Sequence, residues 1–529
     1  EPGADAIAAD AQNALDRITL DDGRSSQNPD PAIHPNGAVF DLDNLFRGGD
    51  TLQNVAGVLN YSFGLYRVQP TQGADYFNDN PRTAAPDSVS GTLTTASFNV
   101  LNYFVTLDEG GNTCGPLLDQ GCRGADNEEE FTRQRDKIIA ALATIDADVV
   151  GLIEIENDAA DAAVANLVGG VNDAVGDGTY AYIETGAIGD DAIRVALIYK
   201  PASVSPYGAF AILDSSVDAR FLDDFNRPVL AQSFIDNETG GLFTVAINHF
   251  KSKGSDCNDV GHPDTGDDYG NCNLTRTEAE AAHVDWLASD PTDSGSDNAL
   301  ILGDLNSYDK EDPIDAIVAG GYVDLVNAFL GEYAYGYVFN GQIGYLDYAL
   351  ASSALNDDVT GATIWHINAD EPDLIDYDTS FKRPNQDAIY APDAYRSSDH
   401  DPVIVGLDVC DEIPPTFDTL SLSNSVLWPA NHKYVDVAAT VVVGDNFDPS
   451  PSVSLVSVTS NEPDNGKGDG NTVNDIVVVD DVNFLLRAER AGGGSGRVYT
   501  VTYEATDACG NTATASVIAT VPHSKGNNK

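Results

Sequence analysis

Short apolar runs in this chain repeatedly end in a carboxylate, an amide or an imidazole: Ser97-Phe98-Asn99, Leu152-Ile153-Glu154, Ile247-Asn248-His249, Gly303-Asp304-Leu305-Asn306 and Ser398-Asp399-His400. Asp, Glu and Asn give hard oxygen ligands to a divalent cation. Histidines and carboxylates hold or move protons. A cation, a water made nucleophilic, and donors on a phosphate as its charge builds up are the parts of metal-assisted phosphodiester hydrolysis.

Something must bring these residues together, and the runs themselves suggest what. Ala299-Leu300-Ile301-Leu302 is short and continuously apolar, as in a strand buried on both faces, so the polar residues at its exit stand on the rim of a sheet. Each piece alone has a plainer reading. Gly303-Asp304-Leu305-Asn306 is a turn sequence, and Ser398-Asp399-His400 before Pro402 is a loop. Glu154 and Glu156 alternate with Ile153 and Ile155, as on the solvent face of a strand. The joint occurrence in order, each at a strand exit, is what points to one site. His283 and His366 lack any partner motif and read as core or surface histidines. Phe131, Ile138, Leu142 and Ile145 recur at helical spacing after the acidic Glu128-Glu129-Glu130, a favourable helix start. That helix leads into the strand Asp148–Glu154.

The order Asn, Glu, His, Asp-x-Asn, Asp, Asp-His between Asn99 and His400 resembles the endonuclease/exonuclease/phosphatase superfamily. The flanking text, Ala96–Phe104, Cys122–Asp126, Asn248–Gly254 and Ser397–Pro402, is similar to its branch of secreted bacterial nucleases. The resemblance covers residues 91–408 and implies an α/β fold, a deoxyribonuclease I-like two-sheet sandwich with helices on its outer faces. It implies Glu154 as the main metal ligand, with Asn99 beside it and Asp399 completing the shell, and Mg2+ or Mn2+ as the cation. Asp304 would orient or deprotonate the attacking water, and Asn306 would hold the phosphate or the metal shell. His400 would act on the reacting phosphate or its nucleophile. Asp347, in Tyr345-Leu346-Asp347-Tyr348, would orient His249, which would donate to the phosphate or the leaving oxygen.

Basic residues are scarce, so their positions are informative. Lys251 and Lys253 follow His249, and Arg194 opens the run Val195–Tyr199. All three read either as phosphate contacts or as solvated strand and loop ends. The chain as a whole carries a net charge of −57 over 529 residues, the wrong sign for a protein whose affinity comes from neutralising phosphates. A catalytic cation and a few local cations can still govern one cleft. External salt would screen the remaining repulsion.

The six cysteines fall into three pairs that are close in sequence or share a domain: Cys114 with Cys122, Cys257 with Cys272, and Cys410 with Cys509. None of these pairs has zinc-site spacing. Disulfides are therefore expected, with an oxidising and extracellular, bacterial setting. No apolar run reaches the length of a membrane span. The chain begins at Glu1 without an initiator Met or an apolar leader, as a processed or trimmed protein does.

Two further regions flank the centre. Residues 1–90 are β-rich and loosely similar to part of an oligonucleotide-binding-type barrel; their aromatic residues are expected in a core rather than stacked on bases. Residues 409–529 alternate strands with Gly, Asn, Asp and Pro clusters, as in an immunoglobulin-like β-sandwich. Its loop Asp464–Gly470 is rich in oxygen ligands that could serve a structural Ca2+, but it lacks the helix-loop-helix pattern and reads first as a flexible turn. The expected function is a secreted, metal-dependent phosphodiesterase acting on DNA, with RNA as a second nucleic acid. The alternatives are a phosphoesterase for phospholipid or small phosphoesters, and an inert adhesive or matrix protein. The sequence leaves the oligomeric state open.

Overall fold

Val149 and Ile153 face one apolar core while Val150 and Leu152, between them, face another, so the strand they share must lie inside a sheet covered on both sides. In the computed structural model, which describes residues 2–524, this strand is β2 (Val149–Glu156), paired in parallel with β1 (Leu93–Tyr103). A six-stranded sheet is completed by β3 (Ala181–Tyr182), β4 (Ile193–Tyr199), β11 (Val359–Ile364) and β12 (Val403–Leu407), in the order β3-β4-β2-β1-β12-β11. A second six-stranded sheet contains β5 (Val204–Leu213), β6 (Arg227–Asp236), β7 (Leu242–His249), β8 (Ala299–Asp304), β9 (Tyr322–Asp324) and β10 (Asp347–Ser352), in the order β5-β6-β7-β8-β10-β9.

The sheets face each other through one core that takes Val149, Ile153, Val195 and Leu197 from the first and Val245, Ile247, Leu300 and Leu302 from the second. Gly151 permits the close approach, since a Cβ there would lie 2.4 Å from Ile247 Cδ1. Helices α1 (Glu128–Ile145) and α2 (Ala162–Val175) cover the outer face of the first sheet, burying Ile138, Leu142, Leu167 and Val171 against Phe98 and Leu152. The N-terminus of α1 is fixed by Asn127, whose side chain accepts the backbone N–H of Glu129 and Glu130, an N-cap before an acidic first turn. α3 (Asn273–Leu287) and α4 (Asp312–Ala319) contribute Ala279, Ala282, Ile314 and Ile317 to the core of the second sheet. This is the two-sheet α/β sandwich with outer helices that the sequence implies.

By its contacts the chain divides into two units: residues up to Val409 other than 238–241, and 238–241 with the residues from Cys410 on. The first 90 residues therefore belong to the same unit as the sandwich. Arg47 reaches Asp370 at 3.2 Å, and Arg82 makes a two-pronged contact with Glu371 at 2.8 and 2.6 Å. Their strands form a three-stranded sheet (Thr19–Leu20, Leu65–Pro70, Gly57–Ser62) and a two-stranded ribbon (Thr51–Gln53 with Asp75–Phe77). Among the described residues they close into no barrel. The expectation of buried aromatics fails here: Tyr61, Phe63 and Tyr66 are 62, 91 and 62 % exposed, because three strands are too few to wrap a core around the hairpin that carries them.

The second unit is all-β, with a four-stranded and a three-stranded sheet around Leu427, Phe484, Leu486, Tyr499, Tyr503 and Val521. Seven strands in two sheets is the count of an immunoglobulin-like sandwich. All three expected disulfides form: Cys114–Cys122, Cys257–Cys272 and Cys410–Cys509. No helix among the described residues is long and apolar enough to cross a membrane.

Candidate active site

Strand register in the second sheet sets four polar side chains in a row. Arg227 on β6 pairs with His249 on β7, His249 with Asp304 on β8, and Asp304 with Asp347 on β10. The parallel pairing of β7 and β8 makes His249 and Asp304 leave the sheet at the same edge. Beyond that edge Asn306 turns back in the left-handed region (φ 48°). Its backbone N–H donates to Asp304 Oδ1 at 2.8 Å, while its amide donates to Asp304 Oδ2 at 3.2 Å and to the Phe250 carbonyl at 3.0 Å.

The first sheet supplies the other half. A β-bulge interrupts β2 where it pairs with β4, and Glu154 within it takes φ 67°. Such a bulge re-aims a side chain, and positive φ at a bulky residue is strain of the sort that collects at functional sites. The Glu154 carboxylate is gripped by the Asn99 amide at 3.2 Å and by the Asn102 backbone N–H at 3.0 Å. Gln134 of α1 steadies that loop by donating to the Leu101 carbonyl at 2.7 Å. The segment Ser397–Asp401, which leads into β12, is held by Asn368, whose amide donates to the His400 carbonyl at 2.6 Å and whose Oδ1 accepts the Ser398 N–H at 3.1 Å. Asp401 accepts three backbone N–H groups, from Ile367, Asn368 and Ala369.

The two halves meet at His249. Its Nε2 lies 3.8 Å from Glu154 Oε1 and 3.6 Å from Asp304 Oδ2, with Arg227 Nη1 on the same nitrogen at 3.4 Å. His400 Nδ1 bonds Asp347 Oδ2 at 2.5 Å, and the Tyr337 ring lies over the imidazole at 4.4 Å between centroids.

Burial and the nearby Arg227 and His400 keep His249 well below the usual histidine range, hence neutral. For His400 burial opposes the charged form, yet Asp347, Asp399 and Asp304 outweigh it and hold the imidazolium to well above the usual range. Burial, with the negative charges of Asp347 and Glu154, raises Asp304 above an ordinary carboxylate. The two histidines of one cleft are thus pushed in opposite directions, which is how acid and base roles are separated. Replacing Asp347 by Asn removes the charge that sustains the His400 cation. The change is expected to lower kcat about 10–100-fold and to bring the alkaline limb of the pH–rate profile to lower pH, because a raised imidazole pKa falls when its anion is lost. Initial rates measured across pH for the two proteins give both numbers.

Several expected placements are corrected. Asp347 orients His400, not His249, because the Ser397–Asp401 segment brings His400 Nδ1 to 2.5 Å from Asp347 Oδ2. Arg194 faces away from the site: it is 1 % exposed, bound to Asp161 at 2.6 Å and to Thr185 at 3.0 Å, so a buried ion pair consumes the charge expected on phosphate. Lys253 is paired with Glu311. Lys251 stays near the cleft, mostly buried, and its Nζ donates to the Ser252 carbonyl at 2.8 Å. His366 bonds Asp401 at 2.9 Å and His283 is a core residue against Glu280. Arg227 was not among the expected residues. It is held by Asp191 at 2.8 Å, which also binds Arg123. It opens the strand antiparallel to the one that His249 closes, but a bulge between Arg227 and Leu230 breaks any count along the hairpin. Tyr337 carried no signal of its own.

The oxygen donors suit a hard divalent cation. Burial and the neighbouring Asp399 push the Glu154 carboxyl up. The His400 and Arg227 charges and the Asn99 amide offset this only in part, so a cation between Glu154, Asp399 and the Asn99 carboxamide would relieve the remaining like-charge contact.

The sequence model of the Endonuclease/Exonuclease/phosphatase family matches residues 96–400, more than half of the chain and all of the cleft residues just described. No curated protein sequence matches. Similar solved structures include an endonuclease/exonuclease/phosphatase family protein from Bacteroides thetaiotaomicron, 18 % identical with a TM-score of 0.38, covering 59 % of this chain and 96 % of that one. They also include the mannosyl-6-phosphatase of the same bacterium (16 % identity, TM-score 0.37, 60 % and 99 % covered) and the human Nocturnin catalytic domain (15 %, 0.37, 60 % and 96 %). With the cleft and most of both sheets inside the matched span, this chain belongs to the Endonuclease/Exonuclease/phosphatase family, whose members are hydrolases acting on phosphoester bonds.

Proposed function

We propose that the protein is a secreted, divalent-metal-dependent phosphodiesterase that hydrolyses nucleic acid, with DNA as the principal substrate. The observation that carries this reading is the meeting of Glu154 from one sheet with His249 and Asp304 from the other, at 3.8 and 3.6 Å around a single imidazole nitrogen.

Glu154, Asn99 and Asp399 would hold Mg2+ or Mn2+, which when bound supplies positive charge to the phosphate oxygens. Asp304, raised toward neutral pH, is a stronger base than an ordinary carboxylate and accepts the proton of the attacking water. Asn306 fixes that carboxylate through two hydrogen bonds. His400, a cation steadied by Asp347, stabilises the negative charge that grows on the phosphorus oxygens. His249, neutral, donates an N–H to the phosphate or the leaving oxygen. Arg227 and Lys251 supply positive charge on the same side, which offsets locally the acidity of the chain. Three disulfides support an oxidising, extracellular location.

The net charge of −57 favours a second reading in which the same chemistry serves a small phosphodiester. The test is a comparison of kcat/KM on duplex DNA, RNA, a phospholipid and a small phosphodiester at fixed salt and Mg2+. DNA is expected to be turned over fastest. A small phosphodiester or the phospholipid exceeding DNA by tenfold or more would replace the proposal with the second reading.

A further inference from the structure

In the C-terminal sandwich Asp445 follows the strand Tyr434–Gly444 and Asp507 follows the strand Gly496–Thr506, while Asp411 stands beside Cys410. Each of the three places a carboxylate oxygen within 4.8 Å of the other two. The Cys410–Cys509 disulfide ties the residue before Asp411 to the turn that carries Asp507. Asp411 and Asp507 are only 8 and 9 % exposed.

Each carboxylate is aimed by hydrogen bonds from its own loop. Asp411 Oδ1 accepts the Ile413 N–H at 2.9 Å, and Asp445 Oδ1 accepts the N–H of Phe447 at 2.9 Å and of Asp448 at 2.8 Å. Asp507 accepts from the Asn511 backbone at 2.8 Å and amide at 2.9 Å. The second oxygens of Asp411 and Asp445 are buried and have no hydrogen-bond partner. None of the three carboxylates forms an ion pair with a described residue. Buried, unpaired, mutually repelling carboxylate oxygens are costly unless a cation lies among them.

A second acidic cluster in the same sandwich shows what compensation without a cation looks like. Asp469, Asp475 and Glu489 also converge within 4.8 Å, but Arg497 binds both Asp475 and Asp469, and Arg487 lies 3.2 Å from Asp475 and 3.9 Å from Glu489. Asp464, in the loop that the sequence singled out for calcium, spends its carboxylate on the N–H groups of Asn474 and Asp475. The arginines already answer that cluster. Nothing comparable answers Asp411, Asp445 and Asp507.

We propose that Asp411, Asp445 and Asp507 hold a Ca2+ ion that stabilises the C-terminal unit. Oxygen-only ligands carried on irregular loops suit Ca2+, which accepts flexible coordination, better than Mg2+, which demands near-octahedral geometry.

The test is a calorimetric titration of CaCl2 into the full chain carrying Glu154→Gln, which removes the main ligand proposed for the catalytic cation, together with melting curves in EDTA and in excess Ca2+. One ion is expected to bind, with Kd on the order of 10⁻⁴ M, and to raise the melting temperature by about 4 °C or more. Adding Asp445→Asn keeps the Oδ1 acceptor for Phe447 and Asp448 but removes the charge. This variant should bind Ca2+ at least about tenfold more weakly, and in EDTA it should melt no lower than its parent because a repulsion is gone. A merely structural Asp445 would instead lower the melting temperature in both buffers. The proposal is overturned if no ion binds, if Asp445→Asn and Asp507→Asn bind as the parent does, or if Asp475→Asn alone abolishes binding.

Discussion

Asp304→Ala is expected to lower kcat/KM on DNA about 10³–10⁴-fold, the combined worth of a proton acceptor and of the electrostatic order it imposes. The argument rests on where Asp304 stands. It lies between His249 on one neighbouring strand and Asp347 on the other, and its two oxygens are both fixed by Asn306. Removing it takes away the group proposed to accept the water proton and leaves the two histidines without the carboxylate between them. Folding should be spared. The site holds a buried acid whose pKa burial has raised, so deleting it costs little stability in the neutral pH range. Kinetics of the purified variant, with a thermal melt to show that the fold persists, give the result. Activity within tenfold of the parent would remove Asp304 from the chemistry.

Gly303→Ala should be among the most damaging single-methyl insertions in the catalytic unit. Gly303 adopts φ 135°, and a Cβ there would lie 2.2 Å from the Asn248 carbonyl oxygen and 2.8 Å from its nitrogen. Both contacts are with the backbone of the adjacent strand, at the pair next to His249 and Asp304. The methyl group must therefore separate β7 from β8 where they carry the site, or twist Gly303 into another conformation. We expect a loss of about 3 kcal/mol or more in unfolding free energy, with activity falling at the same time. Gly295→Ala is the control, since Gly295 also has positive φ, 75°, but meets nothing within 4 Å; it should cost about 1 kcal/mol. Denaturant titrations that find the two changes equal would show that backbone conformation alone, and not the clash, sets the cost.

The legible parts of this protein were those whose signal is local. An apolar run such as Ala299–Leu302 suits a buried strand, and the polar residues at its exit then stand on a sheet rim. Hence Asn99, Glu154, His249, Asp304 and His400 could be named as a set, and paired cysteines close in sequence could be joined. What was not legible depended on three-dimensional routing. Asp347 sits opposite Asp304 in the sheet, and only the path of Ser397–Asp401 decides which imidazole it meets. Arg194 precedes an apolar run much as a phosphate-binding arginine would, and nothing in its neighbourhood announces Asp161 as a buried partner. Arg227 becomes a site residue solely through its register with His249, with a bulge between Arg227 and Leu230 that alternation does not show. The exposed aromatics of the hairpin Gly57–Pro70 failed the expectation for the opposite reason: aromatic side chains most often pack in a core, and three strands do not enclose one.

The most direct measurement is cleavage of plasmid DNA by EDTA-treated protein as Mg2+ is added back, for the native chain and for Glu154→Gln. The native protein is expected to be inactive in EDTA and fully restored by Mg2+, whereas Glu154→Gln should need at least about tenfold more Mg2+ or fail to recover. Cleavage that persists in EDTA, or identical Mg2+ curves for the two proteins, would contradict a metal-dependent centre built on Glu154.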